Sequence, residues 1–206
     1  QREIIYNDRH EVLDEGNVKE KFLGMLRQEF QTLIRTYLPD RHADNWNTAG
    51  FIDEMGQICD LPPDLADEEQ IYEWSLEQIT QILSDYAETV YNAREEEIGT
   101  DQMRTVERLL LLRAIDTHWV QHLTAMENMR TGIGLQAYGQ RDPLVMYRTE
   151  GHKMFQDLTA RIQHDVTHTI FHVTLNQQSA GGRRARRAAS NDSPMKAVNP
   201  GTRPSP

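Results

Sequence analysis

One cysteine, Cys59, stands in a chain of 206 residues. That excludes an internal disulfide and a multi-cysteine zinc site, and a lone thiol suits a reducing compartment. No apolar run approaches the roughly 18 residues that a membrane-spanning helix needs. The opening QREIIYNDRHEVLDEG has neither a basic start nor an apolar signal core. Integral membrane insertion and a secretory signal are therefore not expected. No glycine-rich phosphate loop with a following lysine and Ser/Thr occurs, and no local nucleophile signature supports a hydrolase. These residues are expected to hold no cofactor and no catalytic group, so any ATP hydrolysis must come from elsewhere. Aromatic residues make up 7% of the chain and hydrophobic residues 38%, against 26% charged. With a mean hydropathy of -0.69, an elongated, surface-rich helical protein of one or two domains fits best.

The net charge of -10 is unevenly spread. From Gln177 onward there are six basic residues and one acid, a net of +5, whereas the residues before it carry 16 basic and 31 acidic side chains, a net of -15. An acidic body is repelled by phosphate backbones, so nucleic acid is not expected as the main partner. The tail, residues 176–206, has four arginines in five positions (Arg183, Arg184, Arg186, Arg187) and no apolar period, and reads as a disordered basic linker.

Nearly every other segment reads as helix, giving an all-α class. Asn17 followed by Glu20 suits a helix start, after which Phe22, Leu26, Phe30, Leu33, Ile34 and Tyr37 recur at spacings of three and four up to Leu38-Pro39. Pro39, Gly50, Gly56, Pro62 and Pro63 then punctuate a small module of short helices and loops. Ser75 with Gln78 makes a capping box opening a helix whose face is Leu76, Ile79, Leu83, Tyr86 and Val90 or Tyr91, and Gly99 is its stop. Met103, Val106, Leu110, Ile115, Trp119, Leu123, Met126 and Met129 form the stripe of a long helix over 102–131. Gly132, Gly134 and Gly139 are expected to break it. Asp142-Pro143 restarts a helix with Val145, Met154, Phe155, Leu158, Ile162 and Val166 on its buried side. Two long helices joined by a loop of about ten residues should lie antiparallel. The loop TGIGLQAYGQRD places Ile133, Leu135 and Tyr138 at a tip with no core beyond it, to be buried by another part of the chain or by an external partner.

Histidine pairs are the remaining chemical signal. His118 and His122 are four apart on one predicted helix face, but Trp119 stands where a zinc hydrolase helix has glutamate. A role in packing or hydrogen bonding is favoured over a metal. His164, His168 and His172 recur every four residues; over eight residues a helix rises about 12 Å, too far for all three to hold one ion. A solvated polar face is the favoured reading, with adventitious metal binding at a pair left open. Glu95, Glu96 and Glu97 point about 100° apart on a helix and read as a solvated end. Cys59 reads as a small buried residue.

The string IDTHWVQHLTAMENMRTGIGLQAYGQRDPLVMY, residues 115–147, resembles the C-terminal helical region of SecA, the ATP-driven motor of bacterial preprotein translocation. It shares Ile115-Asp116, Trp119, His122-Leu123, Met126, Arg130, Gly132-Ile133, Leu135, Tyr138, Gln140 and Asp142-Pro143. The likeness extends through Glu150, Met154 and Phe155, and back to QREIIYNDRHEVL. It implies a first part of a helical scaffold over 1–38, a helical wing over 39–97, a two-helix finger with the scaffold's remainder over 98–175, and a chain that begins inside the scaffold helix. By the same resemblance, the finger enters the cytoplasmic opening of the SecY channel (SecYEG) and its tip contacts an unfolded preprotein. Tyr138 falls at the family's tip aromatic, and Ile133, Leu135, Gln140 and Arg141 shape that tip. ATP and Mg would belong to the parent protein, together with the motor and preprotein cross-linking domains against which the scaffold packs. Homodimerisation of the parent and peripheral contact with anionic lipid on the cytoplasmic face of the inner membrane are further implications. Two departures stand out: the family's tip usually reads leucine, arginine, glycine, tyrosine, where this chain has Leu135, Gln136, Ala137, Tyr138, and the family's cysteine-rich zinc tail has no counterpart here. The alternative reading is a free-standing helical adaptor that binds a partner through the hairpin without a motor. Metal-dependent catalysis through His118 and His122 ranks below both.

Overall fold

The structure is a computed structural model, and it describes residues 1–14, 18–40, 43–136 and 142–173. Among these, every regular element is a helix. The order is α1 (Arg2–Leu13), α2 (Val18–Tyr37), α3 (Thr48–Ile58), α4 (Glu68–Glu73), α5 (Leu76–Ile98), α6 (Thr100–Gln136) and α7 (Pro143–Ile170), with 3-10 turns at Ala43–Asn45 and Pro63–Leu65. The all-α expectation holds.

Apolar spacing accounts for α2. Phe22, Leu26, Phe30, Leu33 and Ile34 fall on one stripe and are all buried. α5 lies antiparallel along that stripe. Lys19 pairs with Glu95 at 2.7 Å, Arg27 with Glu88 further along, and Ile34 and Leu38 line one recess with Leu76 and Thr80 at the far end. α5 starts at the Ser75–Gln78 capping box, in which the serine hydroxyl accepts from Gln78 N and the glutamine carbonyl oxygen accepts from Ser75 N. It stops at Gly99, whose φ of 92° lies where a side chain would be strained. The expected helix limits hold at both points, whereas the cap assigned to Asn17 lies outside the described residues.

Two apolar clusters divide these helices. One gathers Leu26, Phe30, Leu33 and Ile34 of α2 and the following Leu38 with Phe51, Met55, Ile58, Ile71, Ile79, Leu83 and Ala87. The other gathers Ile5, Val12, Phe22, Tyr91, Met103, Leu111, Ile115, Leu158, Ile162 and Val166. The division runs through α2 and α5, each of which contributes to both, and Phe171 packs against both clusters.

Glycine does not end α6. The helix runs on through Gly132 and Gly134 to Gln136, so the expected break after residue 131 and the ten-residue loop are both corrected. Glycine costs only about 1 kcal/mol in a helix, and a long helix already under way absorbs it. Along α7, Val145 is corrected from buried to exposed, while Leu158, Ile162 and Val166 are buried as expected. On α6, Leu123 is 41% exposed and His122 takes the inward position beside it. Glu95 is not a solvated helix end: it accepts from Lys19 and Arg104, and the Lys19 hydrogen bond, ahead of the nearby Arg104 charge, holds its carboxyl below the ordinary value. Cys59 is buried as expected, and burial pushes its thiol up to about 12.

Glu107 is the sharpest conflict in the fold. It is fully buried and accepts a hydrogen bond from the Tyr91 hydroxyl, while Arg104 lies 3.1 Å from its other oxygen in a geometry that does not satisfy it. Burial pushes this carboxyl up to about 7, against the opposing charges of Lys19 and Arg108. A carboxyl raised in the folded state stabilises most below its unfolded value of 4.5, and that contribution is lost as pH rises towards about 7. Glu107→Gln keeps an acceptor for Tyr91 and removes the ionisation, so its stability in urea melts should fall less between pH 5 and pH 8 than that of the parent sequence. Gly132 is helical with open space around the position of a Cβ, so Gly132→Ala should raise stability in the same melts by about 0.5–1 kcal/mol.

Candidate functional site: the helical hairpin

α6 and α7 form an antiparallel pair whose register is read from three levels. At the base, His118 Nε2 meets Asp165 Oδ2 at 2.6 Å. At mid-height, His122 stands edge-on to Phe155, with ring centroids 6.1 Å apart. Above that, Met126 and Met129 lie over Gly151, where a Cβ would come within 3.3 Å of the Met126 methyl. Glycine thus leaves room at this position for the flexible thioether side chains of α6.

α1 flanks the same two helices. Arg9 Nε donates to Asp116 at 3.0 Å, and Gln1 Nε2 donates to the Gly151 carbonyl at 2.7 Å. His122 is 6% exposed, stacks on Trp119 at 5.4 Å and lies 3.2 Å from Gln1 Oε1. Burial holds its imidazole below the ordinary value, which favours the neutral ring. His118 and His122 therefore pack and hydrogen-bond between helices, with different partners. That is the role favoured over a metal pair.

Parts of the hairpin present apolar surface to solvent, although Ile133 near its far end is buried. Val120 is 62% exposed on α6, and Leu144 and Val145 are 65% and 58% exposed in the first turn of α7. Asp142 caps that turn by accepting from Leu144 N at 2.9 Å, with Pro143 at the first helical position. Ile4, Met126, Val145, Tyr147 and Phe155 border an open recess between α1 and this part of the hairpin.

Of the five residues assigned to the tip, Ile133 is helical and 9% exposed. Leu135 lies on the last turn of α6, and its side chain is outside the described residues, as are Tyr138, Gln140 and Arg141. Sequence reasoning missed Leu144 and Val145 as exposed apolar residues. Their position in the first turn after the Asp142-Pro143 cap was the available signal.

The SecA Wing and Scaffold domain family matches residues 1–174. The protein translocase subunit SecA of Dehalococcoides mccartyi (strain 195) is 39% identical over 201 residues, covering 96% of this chain and 21% of that protein. The SecA subunit of Pelotomaculum thermopropionicum is 38% identical over 192 residues, covering 93% of this chain and 21% of its own. That of Heliobacterium modesticaldum is 33% identical over 179 residues, covering 85% and 20%. The chain thus spans about a fifth of the length of the curated relatives it matches.

Because Leu144 and Val145 already face solvent, replacing both by serine should change the unfolding free energy by less than about 0.5 kcal/mol per site. A urea melt of Leu144→Ser/Val145→Ser checks this, and any binding defect of the variant then reads as lost contact instead of lost fold.

Proposed function

From the premise that this chain belongs to the SecA wing and scaffold family, we propose that it serves protein translocation, passing nucleotide-driven motion of a parent motor to a moving polypeptide. The observation that carries this reading is the family match over residues 1–174, taken with a long antiparallel hairpin built from the stretch with the densest resemblance. Within the proposal, residues 1–38 are the first part of the scaffold, 39–97 the wing, and 98–175 the finger with the scaffold's remainder. ATP and Mg are bound by other parts of the parent, since no phosphate loop occurs in these residues.

The proposed partners are the SecY channel and an unfolded preprotein at the hairpin's distal end. Two packed helices of 37 and 28 residues move as a rigid body between docked arrangements, as this task requires. Tyr138 is the proposed contact with the polypeptide: an aromatic ring supplies area and a hydroxyl without demanding a particular partner side chain. Ile133, Leu135, Gln140 and Arg141 would shape its surroundings, and the buried Ile133 would do so by anchoring the last turns of α6. No helix among the described residues is long and apolar enough to cross a membrane. Membrane association on the cytoplasmic face is therefore proposed as peripheral.

Site-specific photocrosslinking from position 138 of the full-length parent, during ATP-driven transport of a labelled preprotein, tests the reading. Crosslinks to the preprotein are expected. Crosslinks confined to the parent chain would make the hairpin a scaffold or adaptor element. Tyr138→Ala should lower translocation at least several-fold with unchanged circular dichroism and melting temperature, and an equal loss of folding would sink the assignment.

A further inference from the structure

Where α7 crosses α2, a buried carboxylate meets two imidazoles. Glu29 is 6% exposed, and its two oxygens have different partners. Gln163 Nε2 donates to Oε2 at 2.8 Å, while His164 Nδ1 lies 3.0 Å from Oε1. His168 follows one turn along α7, with its ring centroid 3.8 Å from that of His164. One potential ligand atom from each of Glu29, His164 and His168 falls within 4.8 Å of the other two.

The geometry points to a transition-metal site at Glu29, His164 and His168, selective for Zn²⁺-like ions and fastening α2 to α7. Ligands about 2.0–2.1 Å from a tetrahedral ion stand about 3.4 Å apart. The Glu29–His164 edge, at 3.0 Å, has only to open by a few tenths of an ångström, and a ligand atom of His168 already lies within 4.8 Å of both. The remaining hydrogen bonds orient the ligands as supporting partners of a metal do. Gln163 holds the carboxylate by the oxygen that does not face His164. The His164 carbonyl accepts from His168 Nδ1 at 2.9 Å, which puts the proton on Nδ1 and leaves the lone pair on Nε2. Two nitrogens and one oxygen suit Zn²⁺ with water in the fourth position, whereas Mg²⁺ and Ca²⁺ require oxygen-rich cages. His164 and His172 are exposed, in keeping with the expected solvated face, and each also reaches another helix: His164 meets Glu29 of α2, and His172 Nε2 lies 2.8 Å from the Gln57 carbonyl of α3.

The test is calorimetric titration of Zn²⁺ into the full-length protein that carries this chain, purified without a histidine tag and stripped by chelation. His168→Gln changes a partly exposed side chain, and its circular dichroism verifies folding even if Glu29→Gln proves unstable. His118→Gln is the control at the other histidine pair. The expected result is that His168→Gln weakens one Zn²⁺ equivalent at least 10-fold, or abolishes it, while His118→Gln retains it. Zn²⁺ should also raise the melting temperature of the parent protein more than that of His168→Gln. Equal stoichiometry and affinity in the parent and in His168→Gln, or loss in His118→Gln alone, overturns the assignment.

Discussion

Burial of a single stripe on α2 is the constraint on which the other helices depend. Phe22, Leu26 and Phe30 are each at most 1% exposed, and removing such side chains from water is worth about 1.5–3 kcal/mol apiece. α5 is laid down along that stripe, and its end at Gly99 sets the start of α6. α7 then returns to α2 at Glu29. The chain thus closes a circuit through one helix. A rotation of α2 by one residue position, about 100°, would turn its apolar stripe to solvent and carry Glu29 away from α7.

Buried carboxylates mark the joints of this circuit. Glu107 ties α6 to α5 through Tyr91, and Glu29 ties α2 to α7 through Gln163 and His164. Each sits where apolar packing alone would allow helices to slide along one another, and a hydrogen bond from a named partner removes that freedom. Their satisfaction differs. Both Glu29 oxygens have hydrogen-bond partners, whereas one Glu107 oxygen has only the unaligned Arg104 beside it, which places an electrostatic cost where α6 packs on α5.

Local chemistry was legible in the sequence, and contacts between distant segments were not. The Ser75–Gln78 box, the Asp142-Pro143 start, the Gly99 stop and the α2 stripe involve residues within a few positions of one another, so spacing and propensity suffice. The exchange of Leu123 for His122 on the inward face could not be read that way. It depends on Phe155 and Gln1 arriving from other helices. Glu95 looked like one charge in a run until Lys19 and Arg104 came to it from two directions. Gly132 and Gly134 misled because a glycine is weighed as a breaker, when its cost is small against a 37-residue helix. The resemblance to SecA pointed to Tyr138, which lies outside the described residues.

Gly99 has a mechanical meaning. It is the only residue between α5 and α6, so the corner has little slack. From that pivot the 37 residues of α6 extend about 55 Å at roughly 1.5 Å per residue. A tilt of about 5° at the corner would therefore sweep the last turn of α6 through about 5 Å, close to one helical pitch. Small repacking around Tyr91 and Glu107, near the fulcrum, would be amplified along the arm into displacements as large as a side chain.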